Sequence, residues 1–270
     1  MRRRVAGSLL PGILVTGSLM LVGGCHWPGR PTAADIVPRP EAVMSFDKLY
    51  AQNCAGCHGV DGQNGQATNL ANPEYEALVD DATLRDVIAN GEKGTLMPAF
   101  AQSAGGNLTD AQVNAVVSGM RAKWSKGNVL TGQNAPPYQA SGTGDPGHGQ
   151  QVYATACARC HGAAGQKPGP AGSILDGSFL ALVNAQMIRT TVIAGRPDIG
   201  QPDWRGDVPG HPLTDADIND VTAWMMAQRP ANPGQPYPDN NTTSEKPGEA
   251  QPIAPVSPQR ASSPGTPGKH

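Results

Sequence analysis

The sequence predicts an all-α chain of two tandem domains, on three observations. A run Cys54-Ala-Gly-Cys57-His58 returns as Cys157-Ala-Arg-Cys160-His161. Around that run the chain repeats itself. Tyr50 matches Tyr153 at an offset of 103, Tyr75-Glu-Ala-Leu-Val79 matches Phe179-Leu-Ala-Leu-Val183 at 104, and Thr109-Asp-Ala matches Thr214-Asp-Ala at 105. Two small loop insertions therefore separate otherwise equal copies. Within each copy, apolar residues recur at three- and four-residue spacing, the period of a helix buried on one face.

In chain order, residues 1–24 begin Arg2-Arg3-Arg4 and continue through an apolar stretch from Val5 to Val22, the pattern of an export signal. Gly7, Pro11, Gly12 and Gly17 interrupt that stretch and leave it barely long enough to span a bilayer. Leu21-Val22-Gly23-Gly24-Cys25 resembles the lipobox of bacterial lipoproteins. The resemblance implies an acylated Cys25 as mature N-terminus, holding the protein on the membrane and facing the periplasm. Cleavage to a soluble protein and a retained anchor are the alternatives. Residues 25–41 contain Pro28, Pro31, Pro38 and Pro40 and read as an extended tether.

The first domain, 42–124, opens with Phe46, Leu49, Tyr50 and Cys54 on one helical face that ends at the first C-x-x-C-H run. A glycine-rich loop follows from Gly59 to Gly65. Leu84, Val87 and Ile88 predict a short amphipathic helix that stops at Asn90-Gly91. Thr109-Asp-Ala-Gln112 is a capping box, and it opens a helix carrying Val113, Val116, Val117, Met120 and Trp124 on its buried face. Residues 125–146 carry Pro136-Pro137, Gly142, Gly144 and Asp145-Pro146, which predicts a linker. In the second domain, 147–229, Arg85 and Gly91 reappear as Arg189 and Gly195, and Val113, Val116 and Met120 as Ile218, Val221 and Met225. Residues 230–270 are mostly Pro, Gly, Ser, Asn and Gln and are expected to form a disordered tail.

Only 38% of the 270 residues are hydrophobic and 4% aromatic, against 34 glycines and 26 prolines, so a core built from side chains alone would be thin. A net charge of -2 gives no basis for nucleic-acid binding. Each C-x-x-C-H run reads as a haem c attachment site. Its two thiols add to two vinyl groups, and the adjacent histidine lies under the iron. A single run would also fit a redox dithiol or half a zinc site. Two runs in register, with Cys25 as the only other cysteine, leave no thiol for a disulfide or a zinc cluster. The expectation is two covalently bound haem c groups: Cys54 and Cys57 with His58, and Cys157 and Cys160 with His161. Each would add apolar surface to a small core.

Each copy resembles the class I cytochrome c family over about residues 42 to 229: a helix into C-x-x-C-H, a wrapping loop, a distal methionine and a closing helix. The resemblance implies two all-α domains, each wrapped around one covalent haem, with electron transfer as the role. It implies Met97, in Gly94-Thr-Leu-Met97-Pro98-Ala-Phe100, as distal ligand of the first iron. Met44 and Met120 read as packing residues on helix faces. In the second domain the offset of 104 carries Met97 onto Gln201, in Gly200-Gln201-Pro202-Asp203-Trp204. Three outcomes stand: Gln201 binds through its amide oxygen, another residue (His211 first) replaces it, or the position is open or holds water. Met187 and Met225 read as helical core residues and His148 as a surface residue. The family often bonds its proximal histidine to the carbonyl of a Gly-Pro step. Gly169-Pro170 matches that step; Gly65-Gln66-Ala67 does not, so that partner is in question for His58.

These readings predict a dihaem electron-transfer protein, not an enzyme. It would carry single electrons in a bacterial respiratory chain between a quinol-oxidising complex and a terminal acceptor. Its expected partners are redox proteins and, through Cys25, the membrane, with no nucleic acid. One alternative is the cytochrome subunit of a dehydrogenase or oxidase. Another is a haem enzyme or sensor with a weakly ligated second haem, for which Gln201 is the only support.

Overall fold

A computed structural model describes residues 37–230. The expected export signal, Cys25, most of the tether and the tail lie outside the described residues. The first domain contains α1 (Phe46–Asn53), α2 (Ala55–His58), α3 (Pro73–Leu78), α4 (Asp81–Asn90) and α5 (Asp110–Trp124). The second contains α6 (Pro146–Val152), α7 (Ala158–His161), α8 (Gly177–Leu182), α9 (Ala185–Ala194) and α10 (Asp215–Ala227), with a π-helical turn, Tyr153–Cys157, joining α6 to α7. Among the described residues the only β pairing is two isolated bridges, Ala101 with Leu108 and Arg196 with Gln201.

Caps set the ends of the two closing helices as expected. Thr109 N–H donates to Gln112 Oε1 at 2.9 Å and Gln112 N–H donates to Thr109 Oγ1 at 3.2 Å; Thr214 and Asp217 form the same box at 2.9 and 3.1 Å. Gln112 also donates its amide to Pro40 O and Val43 O, so the cap of α5 ties down the incoming chain. Each domain has its own core. Leu49, Tyr50, Leu84, Val113, Val116 and Met120 centre the first, and Tyr153, Leu180, Ile193, Trp204, Ile218 and Met225 the second. Met44 departs from its expected packing role: it precedes α1 and is 47% exposed.

The opening and closing helices of each domain cross at a glycine, and the duplication has exchanged the partners. In the first domain Phe46 of α1 lies over Gly119 of α5, where a Cβ would meet Phe46 Cγ at 2.2 Å. In the second, the position equivalent to Phe46 is Gly149 and the one equivalent to Gly119 is Trp224. A Cβ on Gly149 would lie 2.0 Å from Asp220 O and 2.8 Å from Trp224 Cβ. One large and one small residue fill the crossing in both copies, from opposite helices, which keeps the packed volume while reversing its source.

The linker is docked. Pro136 is buried and Tyr138 packs on the first core, while Leu130 and Ala135 pack on the second. Arg189 of α9, whose side chain is 3% exposed, donates to Pro137 O at 2.6 Å, to Tyr138 O at 3.0 Å and to Asn219 Oδ1 at 2.6 Å, and pairs with Asp215. A buried guanidinium with this many acceptors holds an otherwise aperiodic segment in place. Its repeat partner Arg85 faces Asp110 at 4.0 Å with a side chain 39% exposed.

Candidate haem sites

Each C-x-x-C-H run is presented at the end of a helix and folded back on itself. Tyr50 donates its hydroxyl to Gly59 O at 2.7 Å, and Tyr153 donates to Gly162 O at 2.9 Å, so a buried tyrosine from the opening helix pins the turn after each histidine. The loop then returns over the second cysteine: Ala67 N–H donates to Cys57 O at 3.0 Å and Ala171 N–H to Cys160 O at 2.9 Å. Gly65 and Gly169 permit that approach, since a Cβ on either would come within 2.2 and 2.3 Å of the same carbonyls.

The returning loops lock the histidines. His58 Nδ1 is 2.8 Å from Thr68 O and His161 Nδ1 is 2.9 Å from Gly172 O. A carbonyl only accepts, so each Nδ1 carries the proton and each Nε2 keeps its lone pair. Burial is the main influence holding His58 below its ordinary pKa; the Thr68 bond opposes it and the Arg196 charge reinforces it. A neutral imidazole is the ligating form. Here the sequence expectation is corrected in the second domain, where His161 bonds to Gly172, two residues beyond Pro170. In the first, which has no Gly-Pro step, His58 bonds to Thr68 O instead. The equivalence is Thr68 with Gly172, at the offset of 104, and because a main-chain oxygen does the work the side chain gives no signal.

The distal positions also superimpose by hydrogen bonding. Glu92 N–H donates to Met97 O at 3.0 Å, and Arg196 N–H donates to Gln201 O at 3.0 Å, again 104 residues on. Both side chains are half-buried. His211 is exposed, with its N–H on Val208 O at 3.0 Å. His148 is also exposed, and its Nδ1 lies 2.8 Å from Asp220 Oδ2.

In the first domain Cys54, Cys57, His58 and Met97 line one cavity of about 320 Å³ whose walls include Leu70, Leu84 and Ile88. That donor set, two thiols, an imidazole and a thioether on apolar walls, fits haem c. Cys54 and Cys157, the leading thiol of each run, do not fit a redox dithiol, whose attacking thiol needs a depressed pKa. Burial, followed by the neighbouring Cys57, pushes Cys54 up to about 11. Burial, followed by Asp207 and Cys160, pushes Cys157 up to about 12. Among the described residues the four motif cysteines are free, and no group of three or more His, Cys, Asp or Glu could hold a metal ion.

Asp207 is a partly buried carboxyl whose charge is felt at Cys157. Burial, with Asp203 adding to it and Arg159 opposing it, pushes its carboxyl from 3.8 up to about 7. The folded chain thus keeps a proton that the unfolded chain releases near pH 4, so the fold loses stability as pH rises from about 4 through 7. Asp207→Asn is expected to flatten that loss. Urea unfolding at pH 5 and pH 8 measures it, and an equal pH dependence in wild type and variant would refute the assignment.

The helices, the locked histidines and the apolar cavity together define a haem c protein. Comparison with known families agrees. Residues 41–118 match the family model described as cytochrome c oxidase, cbb3-type, subunit III, and residues 147–229 match that described as cytochrome c. Among solved structures, the chain is similar to the reducing HAO-like protein complex of Kuenenia stuttgartiensis at 16% identity and a TM-score of 0.43, covering 72% of this chain and 100% of that chain. It is similar to the KustC0563 c-type cytochrome at 31% identity and a TM-score of 0.26, covering 30% of this chain and 99% of that one. It is also similar to dihydro-heme d1 dehydrogenase NirN in complex with DHE at 24% identity and a TM-score of 0.26, covering 40% of this chain and 24% of that one. The chain is a class I c-type cytochrome with two domains.

Proposed function

We propose that the protein is a dihaem cytochrome that carries single electrons in a bacterial respiratory chain, between a quinol-oxidising complex and a terminal acceptor. The observation that carries this reading is the duplicated histidine lock, His58 to Thr68 O and His161 to Gly172 O, beside two free thiols in each domain. Haem c supplies the reversible one-electron chemistry. The chain's own part is to hold each Nε2 lone pair in place, to present Met97 from the loop opposite His58, and to wall the first cavity with apolar side chains. Each of these is what an electron carrier asks of its protein. A second reading, the cytochrome subunit of an oxidase complex, is favoured by the cbb3-type subunit III match over residues 41–118.

The proposal places the protein on the periplasmic side of the membrane, anchored through an acylated Cys25, with redox proteins as partners. Two or more acyl chains give stable attachment where one does not. Intact mass measurement of the mature protein tests both parts. The expected mass is a chain beginning at Cys25 with its acyl chains and two haems, and Cys57→Ala or Cys160→Ala should leave one thioether in the altered domain. A single haem would remove the dihaem reading, and an unmodified chain beginning elsewhere would remove the anchor.

A further inference from the structure

The wall of the first cavity is not supplied by the first domain alone. Phe179 and Leu182 of α8, Val183 after it and Met187 of α9 all line it, although they belong to the second domain. Leu182 is 45% exposed and is not part of the second core, while half-buried Met187 packs against that core and reaches the first cavity as well. In return Leu78 of α3 packs against the second core, and Ala194 at the end of α9 is part of the first. Apolar side chains have crossed the domain boundary in both directions.

A polar clamp fixes this arrangement beside His58. Arg196, 8% exposed, donates from Nη2 to Gly65 O at 2.9 Å, in the loop that carries Thr68. Its guanidinium is paired with Asp198 at 2.8 and 3.0 Å, and Asp198 Oδ2 accepts Asn64 N–H at 2.8 Å. On the other side Asn72, 2% exposed, donates to Ala194 O at 2.8 Å. Asn184 at the start of α9 donates to Glu92 Oε1 at 3.1 Å and Lys93 O at 2.9 Å, on the loop that presents Met97. The second domain therefore grips both the loop that locks the proximal histidine and the loop that carries the distal methionine. Removing one partner of a buried ion pair that also satisfies main-chain groups of its neighbour leaves an uncompensated buried charge, so the clamp resists opening.

We propose that the first haem site is a two-domain site, in which α8 and α9 of the second domain exclude water from the first cavity and Arg196 and Asn184 position its two ligand loops. The inference rests on the reading that the first cavity holds haem c. Water and a weaker field of apolar groups favour ferric iron, which carries more charge. The second domain thus raises the first potential, and Arg196 contributes by holding the Gly65 loop closed over the cavity.

The test uses the full-length holoprotein. Leu182→Gln and Met187→Gln are expected to lower the first potential, followed by the spectral signature of methionine ligation, while the second potential stays in place. Met187→Leu, which keeps an apolar wall, should leave both unchanged. Arg196→Gln should lower the first potential and speed hydrogen exchange across residues 59–69. If neither glutamine variant moves the first potential, the two-domain site is rejected. If Met187→Leu removes the methionine signature while Met97→Leu keeps it, Met187 is a ligand and the wall assignment is also rejected. A wild-type protein with no haem on Cys54 and Cys57 would instead reject the underlying reading, and the haem count distinguishes that result from the others.

Discussion

Gln201→Met is expected to raise the potential of the second centre and to add a second methionine-ligation signature, and Met97→Gln is expected to do the reverse in the first. The two residues hold one place in the fold: Met97 O accepts Glu92 N–H and Gln201 O accepts Arg196 N–H, both at 3.0 Å. They differ in the donor they present. A soft thioether favours ferrous iron, while an amide oxygen is a hard donor that favours ferric. For one electron, each tenfold change in that preference is about 59 mV. Axial ligands as a class span about 0.8 V, so the exchange should be worth two or more such steps. In wild type the second centre then has the lower potential, and the first reduces first in a potentiometric titration. Two methionine-ligated centres in wild type would defeat this expectation. A change of the second centre from low to high spin in His211→Ala alone would move the ligand to His211, whose side chain is exposed in this structure.

The elements nearest the cofactors were legible because their signals are local. C-x-x-C-H, the capping box at Thr109 and the stop at Gly91 are written in neighbouring residues, and each takes its expected place, while Thr214, matched by the repeat alone, also caps its helix. The constant offset then carried Met97 onto Gln201, an equivalence that a hydrogen bond now expresses in three dimensions. What escaped lies in pairs distant along the chain. The histidine partners Thr68 and Gly172 act through carbonyls that every residue has. Arg189 holds the linker at Pro137 and Tyr138, some fifty residues away, so the segment looked like a free spacer. Met187 looked like a core residue because its spacing is helical; only the docking of α9 shows that it also faces the first cavity. Short helices such as α3 and α8, six residues each, complete too few turns for periodicity to mark them.

Gly149→Ala is expected to destabilise the protein more than Gly119→Ala, although alanine favours a helix over glycine by about 1 kcal/mol. Space decides the sign. At Gly119 the new Cβ would lie 2.2 Å from Phe46 Cγ and 2.5 Å from Phe46 Cβ; the half-buried ring can turn away, and a small shift at the first turn of α1 relieves the rest. Overpacking of this kind costs about 1–3 kcal/mol. At Gly149 the nearest atom is the main-chain oxygen of Asp220 at 2.0 Å, inside α10, so relief requires the two helices to separate and the tilted Tyr153–Trp224 contact, 4.8 Å between ring centroids, to open. The cost should exceed about 3 kcal/mol. Denaturant unfolding of the holoprotein, followed by helical circular dichroism, measures both. Removing the large partner separates the mechanisms. Phe46→Gly, which removes the Cβ together with the ring, should recover much of the loss in Gly119→Ala, a coupling visible in a double-mutant cycle. Trp224→Ala should recover little in Gly149→Ala, because the obstruction there is backbone. If Trp224→Ala restores Gly149→Ala as fully as Phe46→Gly restores Gly119→Ala, the two crossings obey the same side-chain rule and the exchange between the duplicated domains is symmetric after all.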